Sequence, residues 1–195
     1  MLQYIPSQHP DYSIAEQVQM ALEAGCRWIQ LHTGDMDDAQ IRELAAEVVP
    51  LCQEIDGQVF LTLENNGDLA RELGIHGVHI TDKNISAPDM RDRLGAEAVI
   101  GVETDNPQAI LALKGADIDY ATLAAALTPD QCRAIIADAK AASNRMPVVM
   151  HANTPEAASA AFSAGANGIV ADSSVMDATD PVEALSALLQ CTQNK

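Results

Sequence analysis

Eight times along the chain, a short apolar run rich in Val, Ile and Leu gives way to an Ala-rich segment with helical periodicity. The runs occupy residues 2–5, 28–32, 59–63, 77–80, 98–102, 117–121, 147–151 and 168–171. Strand-like runs alternating with helical segments imply a parallel sheet, because parallel neighbours need a crossover helix between them. Eight is the count at which such a sheet closes, so the pattern predicts an α/β chain folded as a parallel, eight-stranded (β/α)8 TIM barrel. In that architecture chemistry gathers where strands run out into the following loops, and the strand ends therefore nominate the site.

The helical segments carry their own start and stop signals. A first helix is expected over residues 13–24, with Ile14, Val18, Met20 and Ala21 inward and Gly25 as its stop. A second is expected over 37–54, where Ile41, Leu44, Ala45, Val48, Val49 and Cys52 trace one stripe. Further helices are expected over 67–73, 87–94, 106–114, 129–142, 155–164 and 181–190. The last two follow Thr154-Pro155 and Asp180-Pro181, the favoured order of N-cap then proline. No linker, low-complexity tract or charge block interrupts the pattern, so residues 1–195 read as one domain.

Composition narrows the function classes. At 195 residues the chain can bury a full core, though it is lean for eight β/α units. No apolar run approaches a membrane span, and Met1-Leu2-Gln3-Tyr4-Ile5 reads as a first strand rather than a leader. A net charge of −17 argues against nucleic acid and against anionic membrane surfaces as partners. Cys26, Cys52, Cys132 and Cys191 lie far apart without CxxC spacing, as expected of reduced thiols in a cytoplasmic protein.

A series of fragments runs through the chain in a fixed order. These are Gly25-Cys26-Arg27-Trp28-Ile29-Gln30-Leu31-His32, Asn66-Gly67-Asp68-Leu69-Ala70, Gly77-Val78-His79-Ile80, Ile100-Gly101-Val102, Gly115-Ala116-Asp117, Ala164-Gly165-Ala166-Asn167-Gly168 and Asp180-Pro181. In these fragments, over about residues 14–189, the sequence resembles thiamine phosphate synthase and its relative, the thiazole tautomerase. The resemblance implies a (β/α)8 barrel, often dimeric, in which the synthase joins an aminopyrimidine pyrophosphate to a thiazole phosphate with magnesium.

The resemblance also marks where this chain departs. The family's Gln-x-Arg-x-Lys after strand two, whose basic groups meet pyrophosphate, falls on Gln30-Leu31-His32-Thr33-Gly34. Its Asn-Asp after strand three, whose Asp holds magnesium, falls on Glu64-Asn65, and a second magnesium Asp falls on Asn84. The loop after strand six shrinks to about residues 122–128 and holds no Lys, Arg or His, so the tautomerase's catalytic His has no counterpart. The phosphate-cradling glycine pair after strand seven becomes Ala152-Asn153.

Read directly, the expected strand ends supply His32, Glu64, His79, Asp82, Glu103, Asp105, Asp119, His151 and Asp172, with Lys83 as the one fixed cation. Phosphoryl and pyrophosphate chemistry leans on cations. A carboxylate about 4 Å from a phosphate costs roughly 4 kcal/mol at an effective dielectric near 20. A diverged active site for a small, non-pyrophosphate substrate is therefore expected, with His32, Glu64 and Glu103 as catalytic candidates. Gln30, Asn65, His79, Asn84, His151, Asn153 and Asp172 are the candidate substrate contacts.

Several readings stay open at this level. Magnesium is implied by the resemblance alone, and the His and carboxylate set also suits zinc, manganese or iron. It equally suits a cationic or amine-bearing molecule with a Glu or His as base. The parent synthase reaction and a non-catalytic barrel that binds a partner or metabolite are the alternatives. The blander reading is that these groups sit in separate solvated loops and pair locally. His79 is expected to pack beneath the mouth, Trp28 to pack under helices, and His9 and His76 to carry no role.

Overall fold

The computed structural model describes residues 1–193 except 56, 114, 116 and 143. Strands β1 (Leu2–Ile5), β2 (Trp28–Leu31), β3 (Phe60–Glu64), β4 (Gly77–Ile80), β5 (Val99–Thr104), β6 (Tyr120–Leu123), β7 (Val148–His151) and β8 (Gly168–Asp172) pair in parallel and in sequence order. β8 closes the barrel on β1 through the register Leu2↔Ile169 to Ile5↔Asp172. The intervening helices are α1 (Ile14–Glu23), α2 (Asp38–Glu54), α3 (Gly67–Glu72), α4 (Ala87–Leu94), α5 (Pro107–Ala112), α6 (Pro129–Ala141), α7 (Pro155–Ala164) and α8 (Pro181–Gln193). The expected TIM barrel is thus the fold. Of the expected fifth helix and the Gly115-Ala116-Asp117 fragment, Lys114 and Ala116 lie outside the described residues.

The helices start where the sequence offers a side-chain acceptor to orphan N–H groups. Ser13, Asp37 and Thr128 form reciprocal capping boxes with Glu16, Gln40 and Gln131. Gly165, at φ +102°, ends α7 in the left-handed conformation that a side chain would strain.

Strand alternation produces two separate cores. Ile29, Leu31, Leu61, Leu63, Val78 and Ile100 face the helices in the large outer core. Trp28, Tyr120, Val149 and Val170, with Ile5 and Val99 against them, form a small core inside the barrel. Trp28 therefore packs within the barrel, edge-on to Tyr120 at 4.6 Å between ring centres, and not under helices as expected. Its place as the first residue of β2, on the same face as Gln30, puts it inside.

Residues in register on neighbouring strands share a face, and strand tilt makes each such row descend from the mouth of the barrel to its base. One row runs Glu64, His79, Gly101, Tyr120. A second runs Glu103, Thr122, Val149, Gly168, and a third His151, Val170, Gln3. These rows begin on an ionisable group at a strand end and continue into small, apolar or uncharged side chains. Strand order thus gathers Glu64, Glu103 and His151 at one end although they are far apart in sequence.

The sixth strand begins later than the run 117–121 suggested, and this moves one expected site residue to the opposite end. Asp119 precedes β6 and lies at the base, where its Oδ2 accepts from Arg91 Nη2 at 2.9 Å and from the Ile100 N–H at 2.8 Å. The buried Arg91 also donates to the carbonyls of Gly95, Ala98 and Asp117. Asp119 is a tie of α4 to the sheet, not a mouth residue.

Candidate active site at the barrel mouth

A short polar contact at the mouth joins two neighbouring strand ends. His32, just past β2, meets Glu64, the last residue of β3, with Nδ1 and Oε2 2.7 Å apart. The same Oε2 accepts the Thr33 N–H at 3.0 Å, while Oε1 accepts the Thr81 hydroxyl at 2.8 Å. Glu64 is buried, and burial alone would raise its pKa. The bonds from His32, Thr81 and Thr33 outweigh burial and bring it down to about 2. In return the bond to Glu64 raises the pKa of His32, whose side chain remains nearly half exposed. His32 lines a mouth cavity of about 470 Å³ with Ser7, Gln8, Thr33, Gly34 and Gln40. A carboxylate on Nδ1 fixes the ring and leaves Nε2 for chemistry.

Glu103, at the end of β5, is the contrasting carboxylate. It has no hydrogen-bond partner among the described residues. Burial, then the negative fields of Glu64 and Asp105, raise its pKa. Two carboxylates on one rim with pKa values driven apart is the pattern of a group kept charged and a group able to carry a proton. Lys83, the one fixed cation expected here, is paired with Asp105 at 2.7 Å in solvent.

The other candidates fall into three places. Gln30 and His79 belong to a buried network inside the barrel. Gln3 Nε2 donates to Gln30 Oε1 at 2.9 Å and to the Tyr120 hydroxyl at 3.1 Å, and that hydroxyl lies 3.0 Å from His79 Nδ1. Burial lowers the pKa of His79 to about 4 and raises that of Tyr120, so both stay neutral. This places His79 beneath the mouth, as expected.

Asn65 and Asn84 instead build the loop after β4. Asn65, at φ +56°, accepts the N–H groups of Thr81 and Asp82 at 2.8 and 3.1 Å and donates to the Thr81 hydroxyl at 2.8 Å. Asn84 donates both its backbone N–H and its Nδ2 to Asp82 Oδ1.

His151, Asn153 and Asp172 form the third group. Both ring nitrogens of His151 are buried without a hydrogen-bond partner among the described residues, and burial lowers its pKa. Asn153 Nδ2 donates to Asp172 Oδ2 at 3.0 Å, and the Asp172 N–H returns to Asn153 Oδ1 at 2.9 Å. Asp172 Oδ1 accepts from the Ser174 N–H at 2.9 Å and its hydroxyl at 2.7 Å. Sequence reasoning missed Thr81, Ser174 and Tyr120. Only Tyr120 had a signal, an aromatic inside a strand run whose neighbour in register is a glycine.

These residues also test the magnesium that the resemblance implies. Glu64 spends both oxygens on internal donors, the Asn65 amide is spent on the β4 loop, and the Asn84 amide is turned to Asp82. These positions do not fit a magnesium site. Among the described residues, no group of three or more His, Cys, Asp or Glu is placed to hold a metal ion. The four cysteines are free thiols, three of them buried.

Comparison with known proteins agrees with the architecture. The family model described as thiamine monophosphate synthase matches residues 2–175. The thiamine-phosphate synthase of Bacteroides fragilis is 29% identical over 96% of this chain and 98% of its own length. That of Bacteroides thetaiotaomicron is 30% identical over 92% of this chain and 91% of its own. Among solved structures, the thiamine phosphate pyrophosphorylase of Pyrococcus furiosus superposes with a TM-score of 0.84 at 20% identity, covering 99% of this chain and 95% of that one. An eight-stranded barrel with the ordered series of fragments, matched along nearly its whole length, belongs to the thiamine monophosphate synthase family.

Proposed function

We propose that this chain forms thiamine phosphate, the activity its relatives are named for, in the cytoplasm, with the chemistry at the barrel mouth and His32 as its charge-bearing group. The observation that carries the reading is the reach of the similarity, 98% of the Bacteroides fragilis enzyme's length. A pyrophosphate that leaves an aminopyrimidine takes the bonding pair with it, and a nearby cation lowers the cost of that charge. His32 stands where the family resemblance places an arginine. The Glu64 bond raises its pKa, so it can carry that cation when protonated. Glu64 acts as a positioning residue, Gln30 and His79 set the floor beneath the substrate, and Glu103 is the second proton-bearing group.

A second reading, a diverged site for a neutral or amine-bearing small molecule, is favoured by one specific arrangement. TIM barrels frequently hold phosphate at the loops after the seventh and eighth strands. Here the Asp172 carboxylate fills that corner and takes the Ser174 N–H that an anion would use. One assay separates the two. With both phosphorylated substrates and magnesium, product above the enzyme-free background is expected. No product, together with saturable binding of the unphosphorylated aminopyrimidine alcohol, moves the function to the second reading.

A further inference from the structure

At the base of the barrel, on the far side from the mouth, a second cavity of about 440 Å³ opens among Trp28, Phe60, Val99, Tyr120, Leu189 and Met1. Its size lies within the roughly 300–1,000 Å³ of small-molecule pockets. Phe60 and Met1, 40% and 53% exposed, are the large hydrophobic side chains left open to solvent among the described residues. Both line this one hollow. Apolar exposure confined to a concavity marks a binding surface rather than scattered surface residues.

We propose that this basal cavity binds a small, neutral, ring-bearing molecule. Its floor is aromatic and already fixed. Trp28 meets Tyr120 edge-on, the Tyr120 hydroxyl is held by Gln3 and His79, and the ring occupies space left by Gly101, where a Cβ would lie 2.1 Å from it. A rigid floor needs no ordering on binding.

Neutrality follows from the balance of charge at the rim, where the described residues place one side chain of each sign, Arg27 and Asp119. Arg27 Nη1 donates to the carbonyls of Leu22 and Cys26 at 3.1 and 2.9 Å. Asp119 Oδ2 holds Arg91 and the Ile100 N–H. An ion of either sign therefore meets an attracting and a repelling charge together, and a second copy of a chain carrying −17 brings like charge to the same face. A concave pocket with an aromatic floor suits a ring better than a flat protein surface. The site is separate from the mouth and stands whichever reading of the mouth holds.

The chain contains a single tryptophan, and it lines this cavity, so its fluorescence reports occupancy. Nitrobenzene, a neutral contact quencher, should quench Trp28 saturably with half-effect below roughly 1 mM, as nine heavy atoms at intermediate ligand efficiency imply. Val99→Phe, which fills the cavity, should weaken that by about tenfold or more, and Phe60→Ser, at the rim, should weaken it with little risk to folding. Far-UV circular dichroism checks both variants. Linear, collisional quenching that is the same in wild type and in whichever variant folds would overturn the proposal. Benzenesulfonate binding as tightly as nitrobenzene would overturn its neutrality. Sedimentation showing a dimer that Phe60→Ser dissolves, with quenching unsaturable, would assign the face to a second copy instead.

Discussion

Gly77→Ala should yield little or no folded barrel. Gly77 opens β4 in register with Val99 on β5, and a Cβ there would lie 1.8 Å from the Val99 carbonyl oxygen and 2.6 Å from its carbon. Both are backbone atoms of a paired strand, so no rotamer change relieves the contact. Overpacking of a core ordinarily costs about 1–3 kcal/mol. A clash that only strand displacement can relieve belongs beyond that range, against a total stability of about 5–15 kcal/mol. Soluble yield, far-UV dichroism and urea unfolding measure it. Gly74→Ala is the control, since Gly74 has φ +68° but open space around it. Left-handed strain alone should cost about 1–2 kcal/mol there. Equal losses at the two glycines would show that the close approach of β4 and β5 is not what the barrel requires.

Removing the His32–Glu64 pair should abolish turnover and also reshape stability with pH. The drop in the Glu64 pKa from 4.5 to about 2 corresponds to about 3 kcal/mol, an upper figure because His32 is half exposed to screening solvent. Because the folded value is depressed, this stabilisation is present above pH 4.5 and is lost as pH falls toward 2. His32 behaves oppositely. Its pKa is raised, so its contribution is complete below about pH 6.5 and is lost as pH rises through the folded value. The stability gap between wild type and Glu64→Gln should therefore be widest between about pH 4.5 and 6.5. Urea unfolding across that range measures it, and a gap that does not vary with pH would dispose of the pair.

The activity arm has its own sign. Turnover that uses protonated His32 should decline as pH rises past the His32 pKa. His32→Arg, which restores a fixed cation, should flatten the decline, whereas His32→Ala should lose most activity at every pH. Full activity in the His32→Ala, Glu64→Ala double variant would remove the mouth pair from the mechanism.

Several elements of this protein follow from local chemistry, and those were readable in one dimension. Ser13, Asp37 and Thr128 cap helices because their acceptors sit three residues before an orphan N–H, a relation that needs no tertiary partner. The eight apolar runs alternate with helical stripes, and a closed parallel barrel pairs each of them on both edges. His32 and Glu64 could be nominated because each falls where a strand ends.

The missed features depend on register and on packing. Asp119 looked like a strand-end acid, but β6 begins one residue later, and the carboxylate binds Arg91 at the base. Trp28 looked like a helix-facing residue, but its place on β2 turns it into the barrel against Tyr120. Asn65 has the composition of a ligand contact, yet its amide is consumed by three partners on the β4 loop, which no spacing in the chain reveals.

What the sequence alone determined is the order and number of strands and helices, because hydrophobic periodicity and capping act over a few residues. Only the tertiary structure decided which polar groups are free. Strand tilt carries each row of side chains from mouth to base, so a residue's height depends on neighbours dozens of positions away. That is why Glu64 is fully bonded while the Glu103 carboxylate, on the same rim, has no hydrogen-bond partner among the described residues.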